Sequence, residues 1–236
     1  MGVKVVYVAD DFNDDVLDLA KWDEYEYLGG IVNERNGRLE CSVTTEFQMA
    51  GVSTKNKINC RNLDCQIVIG VVSGLPKTWF IMLCPHKTYT ENISIARPFY
   101  RIQYSMGEGV QAVKMGARDS EPSLLKQIGV SFKNGLKLRI FSAEGKIRFY
   151  YDVGEGWKEF VSEPYTDVED ENYIYIGCSA SPNNTGAGYI DNFVATEAVT
   201  PWGTVSNMLE ATIPVLTGAM VILMMVELVA AIRRLI

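Results

Sequence analysis

Histidine is nearly absent from this 236-residue chain, which contains only His86. One imidazole excludes multi-histidine metal centres and leaves a single candidate for histidine-based catalysis. Basic residues are in deficit, 22 Lys and Arg against 29 Asp and Glu, for a formal charge of −7. With no cationic surplus for phosphate contacts, nucleic acid is not an expected partner. The N-terminal MGVKVVYVADDF has neither the long apolar core nor the small-residue cleavage site of a secretory signal, and reads as a strand running into an acidic turn. A GxSxG elbow, a P-loop and a dinucleotide fingerprint are all missing. Apolar residues at 47% and charged residues at 22% keep the chain in the globular class. Its length fits one large domain or two small ones.

Five cysteines (Cys41, Cys60, Cys65, Cys84 and Cys178) form no CxxC pair, so a zinc site is not expected. Buried cysteines that pack as small hydrophobes are one reading. In an oxidising compartment, Cys60 with Cys41, Cys65 or Cys84 are the first pairs to consider, and the odd count leaves at least one thiol over.

Apolar character is concentrated at the C-terminal end. Ala211 to Ile232 reads ATIPVLTGAMVILMMVELVAAI, with Glu227 the only charge inside it. At about 1.5 Å per residue, some 22 helical residues span roughly the 30 Å of a bilayer core. Trp202 precedes the segment, and Arg233 and Arg234 follow it, as suits the two membrane interfaces. Residues 209–236 are therefore expected to be one transmembrane helix, 198–208 a short connector holding Pro201 and Gly203, and 1–197 the body. The arginines predict a C-terminus inside and a body outside. The lipid bilayer is then a partner. Gly218, Ala219 and Glu227 offer a helix–helix contact, since small residues let helices approach and intramembrane carboxylates usually face protein.

No long stretch of residues 1–200 carries a helical period. The region instead shows short β-rich runs between turn signals. Leu136, Leu138 and Ile140 alternate with Lys137, Arg139 and Phe141, and Ile147, Phe149 and Tyr151 alternate with Arg148 and Tyr150. The Ala143-Glu144-Gly145 turn joins the two runs into a hairpin. Asn36-Gly37 and Asn134-Gly135 are further hairpin signals. Other expected strands are Val3–Val8, Arg38–Thr45, Gln66–Ser73, Trp79–Leu83, Tyr100–Ser105, Val110–Met115, Tyr173–Ser179 and Tyr189–Thr196. About a dozen strands predict an all-β fold of two antiparallel sheets packed face to face.

The ends of the body carry a more specific pattern. Asp10-Asp11-Phe12 is followed by Leu17-Asp18, Trp22 and Asn36-Gly37-Arg38-Leu39, and the body closes with Ile174-Tyr175-Ile176-Gly177 and Asp191-Asn192-Phe193. Over about residues 8–197 this resembles the concanavalin A-like lectin/glucanase (laminin G-like) jelly-roll superfamily. The resemblance implies a two-sheet jelly-roll sandwich whose first and last strands lie side by side. In several members a structural calcium ion sits near that junction. The matching positions here are Asp11 and Asp191, with Asp10 as a third, and hard oxygen ligands suit calcium. No other cofactor is expected. The alternative is that these carboxylates cap local turns.

Glycosidases of this superfamily carry an E-x-D-x-x-E strand motif, and none is present. The nearest approach, Asp167-Val168-Glu169-Asp170-Glu171, reads as a solvated acidic turn after Pro164, and Asp23-Glu24-Tyr25-Glu26 as an exposed loop or edge. Sugar binding in such folds uses aromatic platforms and polar side chains. The candidates are Trp157 in the Gly154-Glu155-Gly156 turn, Tyr89 in a polar loop, and Asn183, which also opens a glycosylation sequon, as Asn92 does. The expected function is non-enzymatic: a membrane-anchored jelly roll for display, recognition or assembly, in a virion envelope or capsid-associated layer or on a microbial surface, self-associating or contacting other coat proteins. A carbohydrate-binding adhesin and a divergent glycoside hydrolase or lyase are the alternatives.

Overall fold

The computed structural model describes residues 5–87, 99–116, 123–166 and 169–199. Tyr89, the Asn92 sequon, Asp167 and the whole proposed anchor (Trp202, Gly218, Glu227, Arg233, Arg234) lie outside the described residues. No helix among the described residues is long and apolar enough to cross a membrane.

The described chain is all-β and folds into two antiparallel eight-stranded sheets. The terminal sheet contains β1 (Val6–Asp10), β3 (Ile31–Arg35), β4 (Arg38–Val43), β7 (Leu63–Gly74), β12 (Leu136–Ala143), β13 (Lys146–Asp152), β14 (Lys158–Pro164) and β16 (Gly186–Glu197). Its order is β14-β13-β12-β7-β16-β4-β3, with β1 continuing the β4 edge of β16. The facing sheet contains β2 (Trp22–Tyr27), β5 (Met49–Thr54), β6 (Ile58–Asn59), β8 (Thr78–Cys84), β9 (Phe99–Ser105), β10 (Gly109–Met115), β11 (Ser123–Ile128) and β15 (Glu171–Ser179). Its order is β11-β10-β9-β8-β15-β5-β2, with β6 beside the start of β15. The first and last strands pair antiparallel, Ala9 opposite Val194 and Asp10 opposite Phe193, as the family resemblance implied.

Local sequence explains most of these strands. In β12 and β7 every second residue is buried, because a period of two sends alternate side chains to opposite faces. Asn36-Gly37 and Glu144-Gly145 are two-residue turns with positive φ at both positions (57° and 70°; 56° and 69°), which matches the twist of the flanking strands. Asn134-Gly135 is not a hairpin. It lies where the chain passes from β11 in one sheet to β12 in the other, so no antiparallel partner precedes it. Instead, Leu136 N–H closes a turn onto the Lys133 carbonyl at 3.1 Å, and the Asn134 side chain accepts from Val71 N–H at 2.9 Å. Asp23–Glu26 forms part of β2, the outermost strand of the facing sheet, with Asp23 ion-paired to Lys55 and Lys87. Charges on an exposed strand edge discourage pairing with other chains.

The core lies between the sheets. Trp22, Trp79, Tyr100, Phe12, Phe149 and Phe193 are fully buried there, so most of the aromatic stock builds the fold. Phe12 and Phe193 pack on Trp22 with ring centroids at 5.8 and 4.9 Å. Asp10 ties this cluster together: its carboxylate accepts from Trp22 Nε1–H at 2.8 Å, Lys21 Nζ at 3.3 Å and Phe12 N–H at 3.1 Å. The acidic-aromatic opening and the Asp191-Asn192-Phe193 closing segment are thus two halves of one lock across β1 and β16. Replacing Asp10 by Ala leaves the indole N–H without its acceptor, and is expected to destabilise the chain by about 1–3 kcal/mol in equilibrium denaturation. An unchanged midpoint would remove Asp10 from this role.

Candidate functional site

The two outer sheet faces differ. On the facing sheet, cross-strand register sets Tyr25, Gly51, Gly177, Phe80, Gln103, Gln111 and Gln127 in one row. Gln103 Nε2 donates to Gln111 Oε1 at 2.5 Å, and Gln111 Nε2 to Gln127 Oε1 at 3.0 Å. Phe80, Met82, Phe99 and Tyr175 on this face are almost completely buried. Gln103 Oε1 and Arg101 Nε are buried without hydrogen-bond partners. Burial pushes the Arg101 guanidinium down to about 10, against some support from Tyr25. The centre of this face is therefore buried, whereas Gln127 at its β11 edge is exposed.

On the terminal sheet, β12 and β13 present Lys137, Arg139 and Phe141 beside Asp152, Tyr150 and Arg148. Arg139 is the centre. Its Nε and Nη2 donate to the two Asp64 carboxylate oxygens at 2.7 and 2.9 Å, a bidentate pair that fixes the guanidinium plane. The rings of Phe141, Tyr150 and Trp157 surround it, with centroids 5.3, 5.4 and 5.5 Å from Cζ. All three rings are half-buried. Tyr150 O–H donates to Glu159 at 2.7 Å. Burial and the Glu159 charge push the tyrosine up to about 12, so it stays a donor.

The placement of Trp157 has a local cause. After β13 the buried Asp152 carboxylate accepts from the N–H groups of Gly154, Glu155 and Gly156 at 2.7, 3.0 and 3.0 Å. Burial alone would raise this carboxyl, but the Gly154 and Gly156 amides and Lys137 outweigh burial and hold it below the usual range. One aspartate thus winds the turn and brings Trp157 back over Arg139. Asn183 is exposed on a different loop, the Ser181–Asn184 turn between β15 and β16.

A third cluster forms where the first and last strands meet. A depression of about 260 Å³ is lined by Asp10, Asp11, Lys21 and Asn192 among others. Asp191 stands in the β16 bulge opposite β7. Partial burial raises its carboxyl and the nearby Asp11 charge raises it further, against local hydrogen bonding from Asn192. Asp11 is near enough to Asp191 to raise its carboxyl, but the Asp10 oxygens are already spent on Trp22, Lys21 and Phe12. Among the described residues no group of three or more His, Cys, Asp or Glu is placed to hold a metal. With calcium needing six to eight oxygens, two carboxylates do not complete a calcium centre, and no role is derived through one.

Sequence reading did not single out Glu34. On β3 it is 8% exposed, and both its carboxyl oxygens are buried without a hydrogen-bond partner. Burial first, then the proximity of Asp14 and the charges of Asp10 and Asp14, push it up to about 7. Cys84 does not pair with the His86 ring: its thiol donates to the His86 backbone carbonyl at 3.4 Å. Glu169 and Asp170 are exposed and ion-paired to Lys57 and Arg61.

No family model matches the sequence, and no curated protein is significantly similar to it. The fold does match solved structures. A legume lectin-like domain from Entamoeba histolytica superposes with a TM-score of 0.60 at 13% identity, covering 76% of this chain and 91% of that one. Lectin II from Ulex europaeus gives 0.59 at 7% identity over 82% of this chain and all of that one. A protein of Mycobacterium tuberculosis described as an immunostimulatory antigen and pseudo β-1,3-glucanase gives 0.59 at 12% identity, over 82% and 99%.

Because the folded state holds the Glu34 proton more tightly than the unfolded chain does, the Glu34 contribution to stability is complete below about 4.5 and is lost as pH rises through about 7. Thermal melts of Glu34→Gln should lose this pH dependence, and a wild-type profile flat from pH 5 to 8 would contradict it. Residues Val5–Ala198 form one compact unit, and its fold is a two-sheet jelly-roll sandwich similar to those of the lectin and pseudo β-1,3-glucanase structures above.

Proposed function

We propose that this chain is a non-catalytic recognition domain that binds glycans on the outer face of the terminal sheet and is held at a membrane by residues 209–236. The observation that carries the binding role is the cluster of half-buried Phe141, Tyr150 and Trp157 around the Asp64-clamped Arg139. Aromatic faces stack on the apolar faces of sugar rings, and fixed polar groups at their rim orient hydroxyls. Asp64, Arg148 and Glu159 supply such groups. The centre of the other outer face, where its aromatic residues lie, is buried and offers no comparable platform. Lectins of the same architecture support this reading. A non-catalytic role is supported by the acidic turn, whose Glu169 and Asp170 are spent on ion pairs.

The display role rests on the apolar C-terminal segment and its flanking Trp202, Arg233 and Arg234, with the body outside and the C-terminus inside. A virion envelope or a microbial surface is the natural setting for such a unit, and Gly218 and Glu227 offer a contact for self-association.

Binding is tested on a glycan array. Trp157→Ala and Tyr150→Ala should each weaken binding by about tenfold, roughly 1.4 kcal/mol, with little change in Tm. No binding to any glycan leaves a purely structural display role. Binding that survives both changes but is lost in Gln103→Ala moves the site to the facing sheet. The anchor is tested by flotation: the full chain should float with liposomes through alkaline carbonate, and a chain ending at residue 200 should stay at the bottom. Equal behaviour of the two removes the anchor.

A further inference from the structure

Cys41 and Cys178 are fully buried on opposite sheets, Cys41 on β4 and Cys178 on β15. Facing sheets ordinarily stack about 10 Å apart, whereas the Cα atoms of a disulfide lie about 4.4–6.8 Å apart. The sandwich narrows here. Residues 44–48 carry the chain directly from β4 to β5 in the other sheet, and Cα atoms of β4 and β15 approach within 8 Å of each other. A second observation places the sulfur itself. Gly188 on β16 is the register partner of Cys41, and a Cβ at position 188 would lie only 2.8 Å from Cys178 Sγ. The Trp79 indole (Nε1 at 2.3 Å from that Cβ position) and the Cys178 sulfur therefore share the space that the missing Gly188 side chain leaves, one strand away from Cys41. The Cys41 side chain lies close enough to push the Cys178 thiol further up than burial alone does. By contrast, the Cys60 and Cys84 thiols donate to the Ile58 and His86 carbonyls at 3.3 and 3.4 Å.

We propose that Cys41 and Cys178 form a built redox site that closes into a single disulfide joining the two sheets when the chain meets a disulfide oxidant. One cysteine thiolate attacks a sulfur of the oxidant, expelling the first thiol and leaving a mixed disulfide. The second thiolate attacks the protein sulfur of that intermediate, forming the Sγ–Sγ bond and expelling the second thiol. Two protein thiols are oxidised and one oxidant disulfide is reduced to two thiols, so protons and electrons balance. Burial pushes the Cys178 thiol far above its ordinary range, which suppresses the thiolate in the finished core. The bond therefore forms while the sandwich is still closing, and the reduced fold, once complete, resists oxidation. All five cysteines are buried and free, and this pairing is none of those considered from the sequence for an oxidising compartment, Cys60 with Cys41, Cys65 or Cys84.

The test refolds the reduced full-length chain in detergent with mixed reduced and oxidised glutathione, alkylates it, and digests it without reductant for mass spectrometry. A Cys41–Cys178 linked peptide is expected, with Cys60, Cys65 and Cys84 alkylated after denaturation. The oxidised chain should melt roughly 10 °C above the reduced one, and Cys41→Ala or Cys178→Ala should erase that difference. Should either variant fail to fold, a chain carrying Cys60→Ala, Cys65→Ala and Cys84→Ala retains only the proposed pair. It should lose both thiols on oxidation while remaining monomeric on a non-reducing gel. Five alkylated thiols after oxidative refolding, a Cys60–Cys65 link or an intermolecular crosslink would overturn the proposal.

Discussion

Burial of alternate side chains between two stacked sheets is the constraint on which everything else in this chain depends. Trp22, Trp79, Tyr100 and Phe149 lie wholly inside that layer, each removing a large apolar surface from water. Because strands expose the opposite set of residues, filling the core also decides what appears outside. Leu136, Leu138 and Ile140 go in, so Lys137, Arg139 and Phe141 must go out. The half-buried aromatic cluster on the outer face of the terminal sheet is thus the complement of its core, and the Asp152-wound turn adds Trp157 to a surface that β12 and β13 have already prepared.

Much of this was legible in the sequence. The alternating runs named both strands of the β12–β13 hairpin, and Glu144-Gly145 named its turn, because period and turn chemistry are local properties. The paired motifs at the two ends announced adjacent first and last strands, and the structure gives the physical reason: Asp10, Phe12, Trp22 and Phe193 build one lock. Trp157 stood out because it follows a glycine-flanked turn. Arg139 did not, since its importance comes from the rings that register brings around it.

What the sequence hid depends on long-range placement or on polar strands. Asp23–Glu26 reads as an exposed loop or edge, and only long-range pairing with β5 decides for the edge strand. Asn134-Gly135 carries the chemistry of a hairpin turn but sits at a crossing between sheets. Glu34 resembles any surface glutamate until the acidic loop covers it. Cys41 and Cys178 are 137 positions apart in the numbering, and nothing in their neighbourhoods announces that one sulfur fills the gap left by a glycine beside the other.

The chain leaves the body through β16, which is an interior strand of the terminal sheet. It is bonded along β7 on one side and along β4 and β1 on the other. Tension applied beyond Glu197 is therefore delivered along a strand gripped on both flanks, so two ladders of hydrogen bonds must slide in shear before the strand can leave. A peeling geometry would break such bonds one at a time, whereas this one makes them resist together. A body tethered through this end is mechanically fastened at its middle.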